Sequence, residues 1–212
     1  MSNAKPQKTR RQKTVLLVET AMLAAIVVVM ALTPIGYLRV GPLELTLIMV
    51  PVIIGAVTCG PAVGALLGGV FGITSFVQCF MGSPLGAILV THSIPRTFLV
   101  CVVTRILAGL FCGLLFKVCS PRDKKGSWSY LVAGISGSLF NTLFFLGALA
   151  LLFFGVTFTP EQAAALGGVD TMLKTVIAIA AGLNAPIELL VCAVLGSAVG
   201  KGVAVALRKV VK

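Results

Sequence analysis

Acid groups are scarce in this chain. Its 212 residues hold six carboxylates, Glu19, Glu44, Asp123, Glu161, Asp170 and Glu188, and one histidine, His92. There is no acidic pair and no metal-ligand cluster, so neither general acid–base catalysis nor a metal centre is expected, and no catalytic residue, metal or cofactor is assigned. A phosphate-cradling P-loop is missing as well, which excludes a chain that powers itself with ATP. The six cysteines form no C-x-x-C pair, and most lie in apolar runs, where a thiol is a small packing group. No disulfide framework is indicated. No small-residue cleavage site follows the first apolar run, so a removed signal peptide is not expected.

What the chain has in abundance is apolar length. Hydrophobic residues make up 58% of it and the mean hydropathy is +1.09, against about 45–50% apolar in soluble domains. At roughly 20 residues per span, about six helices fit. Continuous apolar runs favour helices over barrel strands, which alternate in polarity. The expected spans are 15–33, 45–59, 62–80, 97–118, 129–154 and 172–198, with Pro186 as a kink in the last. Between them lie a polar loop at 36–44, a membrane-dipping loop at 81–96, a basic hinge at 117–125 and a polar loop at 157–170. The fold class is therefore an all-α membrane protein, a six-transmembrane-helix bundle. It is read as one membrane domain over 15–208, between a basic tail at 1–14, whose first residues carry no assigned role, and a second basic tail at 209–212.

The net charge of +11 is sorted rather than spread. Lys5, Lys8, Arg10, Arg11 and Lys13 precede the first span, Lys117 to Lys125 surround the hinge, and more follow Lys201. The positive-inside rule then places both termini and the hinge in the cytoplasm of a multi-pass cell-membrane protein, and leaves no need for nucleic acid as a partner. Loops after spans one, three and five face outward.

Polar groups inside spans cost about 2.5–3.5 kcal/mol each at a helix centre for Arg or Asp, so each needs a reason. Arg105, Asn141, Gln78 and the pair Asn184/Glu188, four apart on one helix face, lie at mid-depth or outward. They can line a cavity that opens outside. Equally, Arg105 and Glu188 can pair and lock two helices while Asn141 and Asn184 bond across a seam; the two readings are compatible. In the outer loops, Arg39, Arg96 and His92 break the charge trend or add the one imidazole. An arginine there suits a carboxylate or a lipid phosphate. Gly60, Gly64 and Gly68 recur at i+4, as do Ala21 and Ala25, a spacing that serves internal packing or the docking of another membrane helix. Gly134-Ile-Ser136-Gly137 is similar to the nucleophile turn of rhomboid intramembrane proteases. No histidine follows Ser136 to act as its base, so the serine is read as packing.

A series of segments carries a broader resemblance: Glu19-Thr-Ala21-Met-Leu-Ala-Ala25, Val50-Pro-Val-Ile-Ile-Gly-Ala56, Gly60-Pro-Ala-Val-Gly-Ala-Leu-Leu-Gly68, Phe71-Gly-Ile-Thr-Ser-Phe76, Thr104-Arg-Ile-Leu-Ala-Gly-Leu110, Gly137-Ser-Leu-Phe-Asn141-Thr142 and Asn184-Ala-Pro-Ile-Glu188. In that order, over nearly the whole chain, they resemble the substrate-binding S components of energy-coupling factor (ECF) vitamin transporters, and within them most closely the pantothenate-type branch. The resemblance implies a subunit that captures a vitamin from outside, then works with a membrane coupling subunit and two cytoplasmic ATPases. It implies that Ala21 and Ala25 meet the coupling subunit. Arg96 and Arg105 would attract the ligand's negative end, Asn141, Asn184 and Gln78 would orient its polar groups, and Glu188 would fix Arg105 or accept a ligand hydroxyl. Ser93-Ile-Pro95-Arg96 departs from the Asn-Pro that often opens the fourth span in that branch, which leaves riboflavin or folate as alternative substrates. A stand-alone secondary transporter is the remaining alternative, although no ion site or repeated half is seen.

Overall fold

The computed structural model describes residues 10–33, 36–40, 43–123, 127–181 and 184–211; for 37–40, 43–45, 180–181, 184–185 and 208–211 the description is of the backbone alone. Helix α1 (Arg10–Leu32) leads to a hairpin of β1 (Tyr37–Val40) and β2 (Leu43–Thr46), then to α2 (Met49–Thr58) and α3 (Pro61–Met81). Next come α4 (Pro84–His92) and a rod made of α5 (Ile94–Phe98), a π-helical turn (Leu99–Val103) and α6 (Thr104–Cys119). The chain closes with α7 (Trp128–Phe153), α8 (Pro160–Ala165), α9 (Met172–Ala181), α10 (Asn184–Val191), a second π-helical turn (Cys192–Gly196) and α11 (Ser197–Val211).

Among the described residues, five helical stretches are long and apolar enough to cross a membrane: Arg10–Leu32, Pro61–Met81, Ile94–Arg122, Trp128–Phe153 and Pro186–Leu207. The expected second span falls short. Helix α2 has ten residues, about 15 Å of rise against a hydrocarbon core of about 30 Å. Eight of its residues are buried, from Met49 to Val57 with only Val50 less covered. A helix apolar all round belongs inside other helices, and α2 is the centre about which α1, α3, α6, α7 and α11 pack.

The sixth expected span, 172–198, with its kink at Pro186, includes residues 182 and 183, which lie outside the described residues. Helix is described over Met172–Ala181 and from Asn184 on, and the described stretch long and apolar enough to cross a membrane is Pro186–Leu207.

Helices α3 and α6 cross at backbone contact. A Cβ on Gly109 would stand 2.1 Å from the Gly64 carbonyl oxygen, one on Gly68 2.2 Å from that of Arg105, and one on Gly72 2.7 Å from the Val102 Cα. Only hydrogen fits there. Gly64 and Gly68 of the i+4 series are thus spent on packing inside the bundle, whereas Gly60 makes the turn into α3 with φ +102°.

The loops hold more structure than their composition suggests. In the 36–44 loop the hairpin pairs Tyr37 with Thr46 and Arg39 with Glu44, and Leu47 N donates to the Gly36 carbonyl at 3.1 Å. The 81–96 loop contains α4, started by Ser83, whose hydroxyl accepts from Gly86 N, with Pro84 at the first helical position. The 157–170 loop contains α8, started by a reciprocal cap between Thr159 and Gln162. The hinge ends in a cap too: Asp123 Oδ2 accepts from Ser129 N at 2.8 Å and Ser129 Oγ at 2.9 Å, placing an acid at the positive end of α7. The bundle therefore has two unlike ends. One gathers the α2–α3 turn, the basic hinge and Lys201, whose Nζ donates to Ser127 Oγ at 2.6 Å. The other carries the hairpin, α4 and α8.

Candidate functional site

Toward the end with the hairpin, α4 and α8, the helices part around a cavity of about 290 Å³. Its wall is drawn from α3 (Ser75, Gln78), α6 (Arg105), α7 (Asn141, Thr142, Phe145), α9 (Thr175, Ile179) and α10 (Glu188), and it is closed by Thr46 of the hairpin, the start of α4 and the turn 166–169. Size and lining suit a small solute: ligand sites run from roughly 300 to 1,000 Å³, mostly apolar with a few placed polar groups.

Arg105 is held in a fixed pose. It is 8% exposed, and its guanidinium lies over the Phe145 ring at 4.5 Å and the Phe71 ring at 5.3 Å. Nη1 donates to the Val100 carbonyl at 2.9 Å and to Thr104 Oγ1 at 3.3 Å. The Val100 carbonyl belongs to the π-helical turn, whose wider spacing opens a backbone acceptor to a side chain five residues on. Cation–π contact between two rings leaves the planar fork no freedom to swing. Its Nε is buried with no partner in the protein.

Facing it, Glu188 Oε1 accepts from Asn141 Nδ2 at 3.2 Å and from Ser138 Oγ at 3.4 Å. The carboxylate only accepts, so it turns the Asn141 amide to present nitrogen toward α10. Asn141 Oδ1 is then left buried without a partner. No ion pair within bonding distance joins Arg105 to Glu188; among the described residues the recorded pair is Lys174–Asp170 at 2.7 Å, outside the cavity. There the Lys174 ammonium, hydrogen-bonded to the Asp170 carboxylate, holds that carboxyl below its ordinary pKa.

Of the residues singled out from sequence, the structure brings Gln78, Arg105, Asn141 and Glu188 to one cavity wall. Gln78 is partly committed, since its Nε2 donates to the Ala31 carbonyl at 2.6 Å and ties α3 to the last turn of α1. Two other residues expected in the site do not line the cavity. His92 is exposed at the end of α4, and Arg96 is exposed with Nη1 on the Leu152 carbonyl at 3.3 Å. Both project from the α4–α5 corner rather than inward. The side chains of Arg39 and Asn184 lie outside the described residues. Ala21 and Ala25 are exposed on α1, beside Leu17, Val18 and Met22. Ser136 donates to the Ala133 carbonyl of its own helix at 3.2 Å.

Sequence reasoning missed Ser138, Phe71 and Phe145. Two of these had a signal: Ser138 and Phe145 lie three before and four after Asn141, hence on its face of α7.

The profile described as "ECF transporter, substrate-specific component" matches residues 15–199. The chain is also 30% identical over 150 residues, covering 65% of its own length and 74% of the relative's, to "Pantothenic acid transporter PanT" of Lactococcus lactis subsp. cremoris (strain MG1363). With a family match over most of its length, five membrane-crossing helices and a walled cavity, the chain belongs to the substrate-specific components of ECF transporters, integral membrane proteins of vitamin uptake and not enzymes.

Proposed function

We propose that this chain captures a small vitamin carboxylate, pantothenate in first place, from outside the cell and delivers it with a membrane coupling subunit and two cytoplasmic ATPases. The observation that carries the reading is the pair of unsatisfied atoms in the cavity wall, a donor at Arg105 Nε and an acceptor at Asn141 Oδ1. A buried polar atom left unpaired costs about 1–3 kcal/mol. A solute bringing an anionic group to Arg105 and a hydroxyl or amide N–H to Asn141 relieves both. Pantothenate has a carboxylate, two hydroxyls and an amide, and a relative carries its name. A cavity of about 290 Å³ favours such a short acyclic molecule over the fused rings of riboflavin or folate.

In this reading the cavity opens outward and both termini are cytoplasmic, supported by the basic residues gathered at the opposite end. Residues 15–208 act as one membrane domain, with α2 as the sixth, half-depth helix of the bundle. The exposed Ala21/Ala25 face of α1 is the docking surface for the coupling subunit, where small side chains allow close helix approach.

Thermal stabilisation of the detergent-purified protein against pantothenate, riboflavin, thiamine, biotin, folate and pyridoxine tests the substrate. A ligand that binds only the folded state raises stability with its concentration. A saturable shift with pantothenate alone is the expected result; a shift with another vitamin, or with none, refutes the assignment.

A further inference from the structure

We propose that Cys79 and Cys101 form an oxidisable dithiol in the cavity wall, and that closing it to a disulfide shuts off solute capture. The two Sγ atoms stand 3.7 Å apart, on α3 and on the π-helical turn, and both residues line the cavity. They are 6% and 2% exposed. None of the six cysteines is in a disulfide, and this is the sulfur pair in contact among the described residues.

Bonding brings the sulfurs from 3.7 Å to about 2.0 Å. Helix α3 cannot move closer as a body, because it already touches the π-helical turn where Gly72 meets Val102. On its other side the Cys79 side chain is pressed against α4, with its Sγ 2.8 Å from the place a Cβ on Gly86 would take. The displacement therefore falls on the π-helical turn. Cys101 directly follows Val100, whose carbonyl holds the Arg105 guanidinium at 2.9 Å. Pulling Cys101 toward α3 moves the anchor of the group that faces the solute.

Hydrogen peroxide is small enough for the cavity and supplies the balance. One thiolate attacks a peroxide oxygen, breaking the O–O bond and giving a sulfenic acid and, after protonation, water. The second thiol attacks the sulfenic sulfur and expels a second water as the S–S bond forms. Two thiols and one peroxide give one disulfide and two waters, with two electrons passing from sulfur to oxygen. A dithiol reductant reverses the change by exchange.

The capture clause rests on the proposed function; the bond itself does not. The full chain, reduced and purified in detergent, is treated with peroxide, mapped by peptide mass spectrometry and titrated with pantothenate before treatment, after it and after dithiothreitol. The expected result is a Cys79–Cys101 linkage lacking two hydrogens, with Cys112 and Cys192 still reduced. Affinity should fall by about tenfold or more, which is about 1.4 kcal/mol, and return on reduction. Cys79→Ser and Cys101→Ser are each compared with themselves before and after peroxide, and each ratio should stay near one. Thiols that both remain alkylatable, or a linkage that leaves affinity unchanged, overturn the proposal. Where the reduced protein binds no pantothenate, the substrate assignment is what fails, and capture is scored on whichever vitamin stabilises the protein.

Discussion

Replacing Arg105 with Met separates a ligand contact from a structural one. Met matches the unbranched stem of arginine, packs favourably against aromatic rings and can fill the inner part of the slot beside Phe145 and Phe71. It cannot bond to Val100 or Thr104, but those groups have other partners: the Thr104 hydroxyl already donates to the Val100 carbonyl. The bundle should lose little stability. The ligand loses more. With Nη1 turned to the protein and Nε unpaired, one charge-assisted bond to the solute is the minimum at stake. Such a bond contributes about 1.5–3 kcal/mol, or about tenfold to a hundredfold in Kd. Arg105→Lys should fall between, since it keeps the charge and loses the planar fork. Isothermal titration with pantothenate reads the affinity, and the thermal midpoint without ligand reads the fold. A Kd within about threefold of the parent, with the fold intact, refutes a direct role for Arg105.

Four further outcomes are expected. Gly109→Leu should lower the thermal midpoint sharply, because its Cβ would lie 2.1 Å from the Gly64 carbonyl oxygen and overpacking costs about 1–3 kcal/mol or more; an unchanged midpoint contradicts the helix crossing. His92→Ala and Arg96→Ala should leave pantothenate affinity unaltered, since neither side chain reaches the cavity; a clear loss in either titration would place the ligand at the α4–α5 corner instead. Asp170 titrates below an ordinary aspartate because of Lys174, so the pair's small contribution is present above the unfolded pKa of about 3.9 and lost as pH falls through the lowered folded value. Carboxyl chemical shifts across acid pH check this, and a raised midpoint would reverse the sign. Ala21→Trp and Ala25→Trp should leave solute binding intact, because both positions are exposed on α1, yet abolish uptake by cells that hold the whole transporter; uptake that survives both changes removes the docking assignment.

Helical spans were legible wherever apolar length exceeded what a soluble core needs. The runs beginning at Val15, Ala62 and Ser129 correspond to α1, α3 and α7 within a few residues. The reading weakened where length and burial part company. Hydropathy cannot separate a segment that faces lipid from one that faces protein, so α2 was expected to span although ten residues cannot. The hairpin was hidden because its register depends on backbone pairing between Tyr37–Val40 and Leu43–Thr46, in a stretch too short for a period to declare itself.

The site was legible for a physical reason and to a physical limit. A polar side chain within a span is costly enough to need a partner or a solute, and that cost picked out Gln78, Arg105, Asn141 and Glu188, which the fold gathers from four helices. It could not say who partners whom. Arg105 and Glu188 carry opposite charge, yet the arginine turns to its own π-helical turn and two phenylalanines, while the carboxylate turns to Asn141 and Ser138. That choice depends on a single extra residue in one helical turn, which brings the Val100 carbonyl within reach. Had the pair closed on itself, its charges would have been spent inside the protein. Held apart, Arg105 and Asn141 each keep one unsatisfied atom in the cavity wall. In the loops the cost argument has no force, because water and lipid headgroups can satisfy a charge there, and it is in the loops that His92 and Arg96 lie exposed, outside the cavity lining.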